Sequence, residues 1–188
     1  MRTWKTVAVL LAGGALVVNA ATYYVDRNHT QANNINNGTE SLPWKTIQYG
    51  MDQAQPGDTV YVKTGDYSET ILTKRNGTAN GKIVLKSLPR RTAKTVRFMM
   101  AHEYIRVEGF ELTLSVPGVG INITASNTEA VDNYIYNMLT GINVAYYKSN
   151  VYVGYNRIYH CQYGITVMCN NSVIEGNEIE RMFKYGDG

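Results

Sequence analysis

From residue 104 onward the chain repeats one pattern of apolar and polar positions. It reads YIRVEGFELTLSVPGVGINI, then EAVDNYIYNMLTGINV, then VYVGYNRIYHCQYGITV, then SVIEGNEIERMFKYGDG. With Phe110, Asn133, Asn156 and Asn177 as one equivalent position, the spacings are 23, 23 and 21 residues. Three positions before it stand Val107, Ala130, Val153 and Ile174, and two after it Leu112, Ile135, Ile158 and Ile179. Further along, the same spacing aligns Gly118 with Gly141 and Gly164, Val119 with Ile142 and Ile165, and Ile121 with Val144 and Val167. Within each unit apolar and polar residues alternate with period two, which predicts short strands and leaves no room for a crossover helix.

One such unit has no core of its own; stacking the units buries the apolar columns. A coil that advances one strand spacing per turn sets equivalent residues about 4.8 Å apart. The recurrent Asn then predicts an inward ladder of side-chain amides, and the Gly column a corner that needs positive φ. The fold class predicted is all-β, a right-handed parallel β-helix with coils of 21–23 residues. The LxxLxLxxN pattern of a leucine-rich repeat is missing, and a β-sandwich does not keep such columns in register.

The first half supplies the end of the solenoid. Tyr23 to Val25 reads as a strand and residues 26–40, polar and Asn-rich, as a loop. Ser41 is the expected N-cap of a helix with Pro43 in its first turn and Ile47, Met51 and Ala54 on one face. Pro56-Gly57-Asp58 ends it; Thr59 to Lys63 reads as a strand and Thr64-Gly65-Asp66 as a turn. A helix with one apolar face before the first coil plugs the open end that a solenoid otherwise exposes.

The extreme N-terminus follows a different pattern. Arg2 and Lys5 precede an uncharged apolar run from Thr6 to Val18, followed by Val18-Asn19-Ala20. This is the form of a secretory signal peptide cut after Ala20 or Ala21, too short to span a bilayer as an anchor. The expected organisation is a signal peptide over 1–20 and a β-helix domain over 21–188. The last rung, ending in GDG, carries no cap, so the sequence reads as cut within the β-helix.

Export changes the charge argument. The 188-residue chain has a formal charge of +3, but residues 1–20 contribute Arg2 and Lys5 and no acid. Sixteen basic against 15 acidic residues remain, which gives no electrostatic support for nucleic-acid binding. With 44% hydrophobic and 18% charged residues the chain is of globular composition, and a monomer is expected. Cys161 and Cys169 are the only cysteines; in an exported protein they form either one disulfide or two thiols, and without CxxC they make no structural zinc site. Asn-x-Ser/Thr sequons occur at Asn28, Asn37, Asn76, Asn122 and Asn170.

The stretches YYVD…PWKTIQYGMDQAQPGDTVYVKTGDYSETI and NGTANGKIVLKS resemble the N-terminal cap and first coils of secreted β-helix proteins of the pectate lyase-like superfamily. Within it the chain is most similar to family 9 type pectate lyases and related polysaccharide lyases, over residues 22–188. That resemblance implies β-elimination on a uronate-containing, acidic polysaccharide. A Lys or Arg takes the C5 proton, and calcium held by aspartates neutralises the uronate carboxylate. It also implies that the catalytic coils lie further along than residue 188. The alternative is a non-catalytic β-helix module for surface binding or adhesion, tailspike-like proteins included.

Calcium needs several carboxylate oxygens together. Asp132 and Asp187 are the only aspartates after Asp66 and stand in different columns, so the sequence itself shows no such cluster. Asp187 is the candidate metal ligand, and Arg181 and Lys184 are the candidate bases. Four positions after the Asn column come Leu114, Asn137, His160 and Arg181. Asn137, His160 and Arg181 form either one edge of a saccharide groove or an ordinary solvated face. Tyr146, Tyr147, Tyr152, Tyr155, Tyr159 and Tyr163 either stack on sugar rings or serve as half-buried strand residues.

Overall fold

A computed structural model describes residues 20–114 and 118–183. The signal peptide expected over 1–20 lies outside this range save for Ala20. The chain winds as a right-handed parallel β-helix of about five turns with three faces. Sheet 1 has seven strands, sheet 2 six and sheet 3 five. One complete rung is Ile105–Glu108 in sheet 1, Glu111–Thr113 in sheet 2 and Val119–Ile123 in sheet 3. The next is Glu129–Val131, Tyr134–Tyr136 and Thr140–Val144, followed by Tyr152–Gly154, Arg157–Tyr159 and Tyr163–Val167. Every strand pair is parallel, with Val107 beside Ala130 and Ala130 beside Val153, and with Leu112 beside Ile135 and Ile135 beside Ile158. These are the columns that the repeat predicts, and their side chains form the dry interior.

A strand cannot turn through a triangular section without a sharp bend, and here left-handed residues recur in columns at the corners. Gly109, Asp132, Tyr155 and Gly176 turn the chain from sheet 1 to sheet 2. Asn137, His160 and Arg181 turn it from sheet 2 to sheet 3, and Tyr104, Asn127, Asn150 and Asn171 from sheet 3 back to sheet 1. Asn, Asp and Gly dominate these columns because they adopt that conformation at least cost.

The Asn ladder forms inside the first corner. Asn133 Nδ2 donates to Asn156 Oδ1 at 3.0 Å, and Asn156 Nδ2 to Asn177 Oδ1 at 2.9 Å. Asn133 and Asn156 are fully buried, so their amides are part of the core and not of the surface.

Three local expectations are corrected. The Gly column runs through Gly120, Gly141 and Gly164 rather than Gly118, because Val119 pairs with Thr140 and Ile121 with Ile142. Between Thr113 and Val119 lie five residues, against three in each of the next two rungs, so the register slips by two and keeps its facing. These glycines lie within strands: a Cβ on Gly141 would stand 2.7 Å from the Gly164 carbonyl oxygen, so close approach of the rungs, not positive φ, demands them.

The helix begins later than expected. It spans Ile47–Gln53, with Thr46 as N-cap accepting from the Tyr49 N–H. Residues 41–45 stay out of the helix because Trp44 pairs with Val25, its indole is buried, and the Nε1–H donates to the Asn36 carbonyl at 2.7 Å. Glu69 takes the free N–H groups of Ile47 and Gln48 at 3.0 and 2.9 Å, a carboxylate at the positive end of the helix. Ile47, Met51 and Ala54 are buried, so the helix closes the end of the first coil as its apolar face predicts. Gly65 and Asp66, expected as a turn, are the first strand of sheet 2: they pair with Ala93 and Lys94 of the next rung. Among the described residues no helix is long and apolar enough to cross a membrane.

Candidate functional site

The outer face of sheet 2 is built by the same alternation that builds the core. Ile135, Ile158 and Ile179 point inward, which sends Tyr134 and Tyr136, Arg157 and Tyr159, and Glu178 and Glu180 outward in register. The rings of Tyr134 and Tyr136 stack with centroids 4.9 Å apart. Arg157 lies 5.8 Å from the Tyr134 ring centroid, and its guanidinium reaches Glu180 at 3.4 Å and Glu178 at 3.8 Å. Tyr136 donates its hydroxyl to Glu111 Oε1 at 2.7 Å. Burial first, and then that carboxylate, push the phenol up to about 12, so it stays protonated and remains a donor.

The corner beside this face carries the predicted column. Asn137, His160 and Arg181 have φ of 57°, 50° and 48°. His160 Nδ1 lies 2.9 Å from Asn137 Oδ1, within hydrogen-bonding distance. Phe183 packs 5.0 Å from the His160 ring. Arg181 folds back over Tyr159, its Cζ 5.8 Å from the ring centroid and Nη1 3.3 Å from the hydroxyl. The three predicted residues therefore do stand at one corner, joined to Tyr159. Lys184 and Asp187 lie outside the described residues.

Tyr134, Tyr136, Arg157 and Glu111 also contribute to this face, outside the residues expected from the repeat. Their signal was present: each flanks an inward Leu or Ile at period two. Of the tyrosines singled out earlier, Tyr146, Tyr147, Tyr155 and Tyr163 are exposed, Tyr159 is half-buried, and Tyr152 donates to Glu175 at 2.8 Å.

The described carboxylates do not gather as a calcium site requires. Among the described residues no three His, Cys, Asp or Glu side chains come together as metal ligands. Asp66 accepts from Ser68 at 2.7 Å and faces Lys94 at 3.4 Å, while Asp132 is held by Arg90 and Arg91 at 3.1 and 2.8 Å. On sheet 1 Glu108 and Glu129 share Arg106, each at 2.7 Å, with Lys86 and Lys82 completing the row. Burial alone would raise Glu108 and Glu129, but these cationic donors outweigh it and hold both below the ordinary carboxylate value. Cys161 and Cys169 are free thiols; burial pushes the Cys161 thiol up, which makes it a core residue and not a nucleophile. What the sheet 2 face offers chemically is recognition: aromatic rings, guanidinium groups and fixed hydrogen-bonding groups along successive rungs.

A family model described as a right-handed β-helix region matches residues 100–187. No curated protein matches the chain. Among solved structures, a rhamnogalacturonan lyase is similar at 15% identity and a TM-score of 0.59, over 84% of this chain and 45% of its own. A GH136 lacto-N-biosidase from Eubacterium ramulus is similar at 15% identity and a TM-score of 0.64, over 86% and 42%. Pectate lyase Pel9A follows at 18% identity and 0.56, over 84% and 46%. The chain thus spans less than half the length of each of these neighbours, and the likeness is one of fold.

Proposed function

We propose that this is a secreted, carbohydrate-active β-helix protein of polysaccharide-lyase type, acting as a monomer on an acidic polysaccharide. The observation that carries this reading is the outer face of sheet 2, where Tyr134, Tyr136 and Tyr159 alternate with Arg157 beside the Asn137–His160–Arg181 corner. A saccharide chain laid across the rungs stacks on the tyrosines, and Arg181 meets a uronate carboxylate through its planar fork. The two lyases among the fold neighbours support the class of substrate.

β-Elimination needs a base at C5 and a cation at the carboxylate. Arg181 supplies positive charge at this face, and Lys184 and Asp187 follow it by three and six positions in the sequence. Among the described residues no site for calcium is assembled. A second reading, binding without cleavage, draws on one observation: the ionisable groups of the face are already engaged, Arg157 with Glu178 and Glu180, and Glu111 with Tyr136.

The test is ultraviolet detection of unsaturated uronate released from pectate, alginate and chondroitin, with and without calcium, alongside co-sedimentation with each polymer. Product formation that Arg181→Ala reduces supports the lyase reading. Binding with no product supports the second. Neither binding nor product on any polymer sinks both.

A further inference from the structure

The corner between sheets 1 and 2, on the opposite edge of sheet 2 from Asn137, His160 and Arg181, holds a second arrangement. Its column is Gly109, Asp132, Tyr155 and Gly176. Arg91 is spent on holding that column: Nε donates to the Asp132 carbonyl at 3.1 Å, and Nη2 to the Tyr155 carbonyl at 3.2 Å and to the Asp132 carboxylate at 2.8 Å. Its neighbour Arg90 reaches the same carboxylate with one nitrogen at 3.1 Å, yet its side chain is 66% exposed. Two guanidinium groups thus share one carboxylate, and the outer one keeps most of its donors toward solvent.

Beside them the Tyr155 side chain rests on the next rung. A Cβ on Gly176 would stand 2.6 Å from two of its ring carbons, so the absence of a side chain at 176 makes the seat for the ring. Tyr155 is nevertheless 56% exposed. Arg90, Arg91, Asp132, Tyr155, Gly176 and Glu178 line an open cleft of about 410 Å³, within the usual size of small-ligand sites.

We propose that this cleft is a subsite for a carboxylate-bearing sugar residue, its ring stacked on Tyr155 and its carboxylate held by Arg90. A guanidinium fork matches a carboxylate in two parallel hydrogen bonds, and an aromatic face takes the apolar C–H face of a pyranose. Glu178, which lines the same cleft and shares its carboxylate with Arg157 at 3.8 Å, offers an acceptor to the sugar hydroxyl groups. The cleft does not depend on the lyase reading, because it needs neither a base nor a metal.

The experiment is amide-resolved NMR of the protein titrated with trigalacturonate, its methyl ester and inorganic sulfate. The free acid is expected to shift the Arg91, Tyr155 and Gly176 amides saturably and the ester to bind about tenfold more weakly, the loss of one charge-assisted pair. Arg90→Gln is expected to weaken the free acid about tenfold with an unchanged melting temperature. Tyr155→Asn, which keeps the left-handed backbone and removes the ring, is expected to weaken acid and ester alike. The proposal is overturned by unshifted cleft amides, by equal affinity for the ester, by equal shifts from sulfate alone, or by an Arg90→Gln protein that binds as the parent does. Shifts confined to Asn137, His160 and Arg181 overturn this subsite while leaving the proposed function standing; shifts confined to the cleft do the reverse for the sheet 2 face.

Discussion

Asn156 Oδ1 accepts two hydrogen bonds from Asn133 at once, from its backbone N–H at 3.0 Å and from its side-chain Nδ2 at 3.0 Å. The Asn156 amide in turn donates to the Ala130 carbonyl at 2.9 Å, and both residues are fully buried. One side chain therefore satisfies three polar groups of the rung before it. Replacing Asn156 with Leu strands them in a dry interior at about 1–3 kcal/mol each. The expected result is a loss of roughly 3 kcal/mol or more in urea unfolding. Asn177→Leu, on a rung that is still open to solvent, is expected to cost less; an equal or smaller loss at Asn156 contradicts the ladder.

Gly141 tests the register. A Cβ there meets the Gly164 carbonyl oxygen at 2.7 Å and the Ile158 Cγ2 at 2.8 Å, and neither moves without displacing a rung. Gly141→Ala is expected to destabilise by about 1–3 kcal/mol, the usual cost of overpacking. Gly118→Ala, at the position first aligned with it, lies in the longer turn and is expected to be milder. Comparable melting temperatures for the two variants would restore the original alignment.

Glu108 and Glu129 make a pH prediction with a definite sign. Both titrate below the ordinary 4.5 in the folded chain, despite burial, because Lys86, Lys82 and Arg106 favour the ionised forms. Their contribution is present above the unfolded value and is lost as pH falls through the lower folded values. Stability is expected to decline from about pH 5 downward, and the decline to be shallower in a Glu108→Gln, Glu129→Gln protein. An identical acid limb in both proteins would show that the row is inert.

The sheet 2 face predicts a graded loss of saccharide binding. Tyr159→Ala removes both a ring and the surface on which Arg181 lies 5.8 Å from the centroid. A stacking contact and a cation–π contact together are worth about 1–2 kcal/mol, so affinity for the bound polymer is expected to fall roughly 5- to 30-fold. Tyr147→Ala, exposed but in the turn between sheets 3 and 1, is the control expected to leave binding unchanged in affinity electrophoresis.

Glu69 ties the capping helix to the first coil through two N–H groups. Glu69→Gln keeps one acceptor and removes the charge at the helix start, with an expected cost of about 0.5–2 kcal/mol. Hydrogen exchange is expected to rise at Ile47 and Gln48 before it rises at Val107 or Ala130. Uniform exchange along the chain would mean that the cap and the coils unfold as one unit.

The coil, its stacking and the Asn ladder were legible because one rung repeats at nearly constant spacing, and a parallel register turns equal spacing into contact. Ile135 and Ile158 had to meet once the units stacked, and Asn133 and Asn156 had to share hydrogen bonds once they were inside. The Gly column was misaligned because two extra residues in one turn shift a strand by a full side-chain period, which leaves the alternation intact and so leaves no trace in the pattern. The helix start was misplaced because Ser41 and Pro43 satisfy the local rules, while a buried Trp44 and a pairing with Val25 overrule them from outside the segment.

The sites divide the same way. Asn137, His160 and Arg181 share a column in the sequence, and the fold makes them neighbours through the geometry of the repeat alone. Arg90 and Asp132 share no column and no motif; they lie 42 positions apart and meet because the chain completes nearly two turns between them. Periodicity by itself determined what lies above what in the first two sheets, and the turn length set it in the third. Only the tertiary structure decided what faces what across a corner, because that depends on turn lengths and side-chain reach, which no repeat encodes.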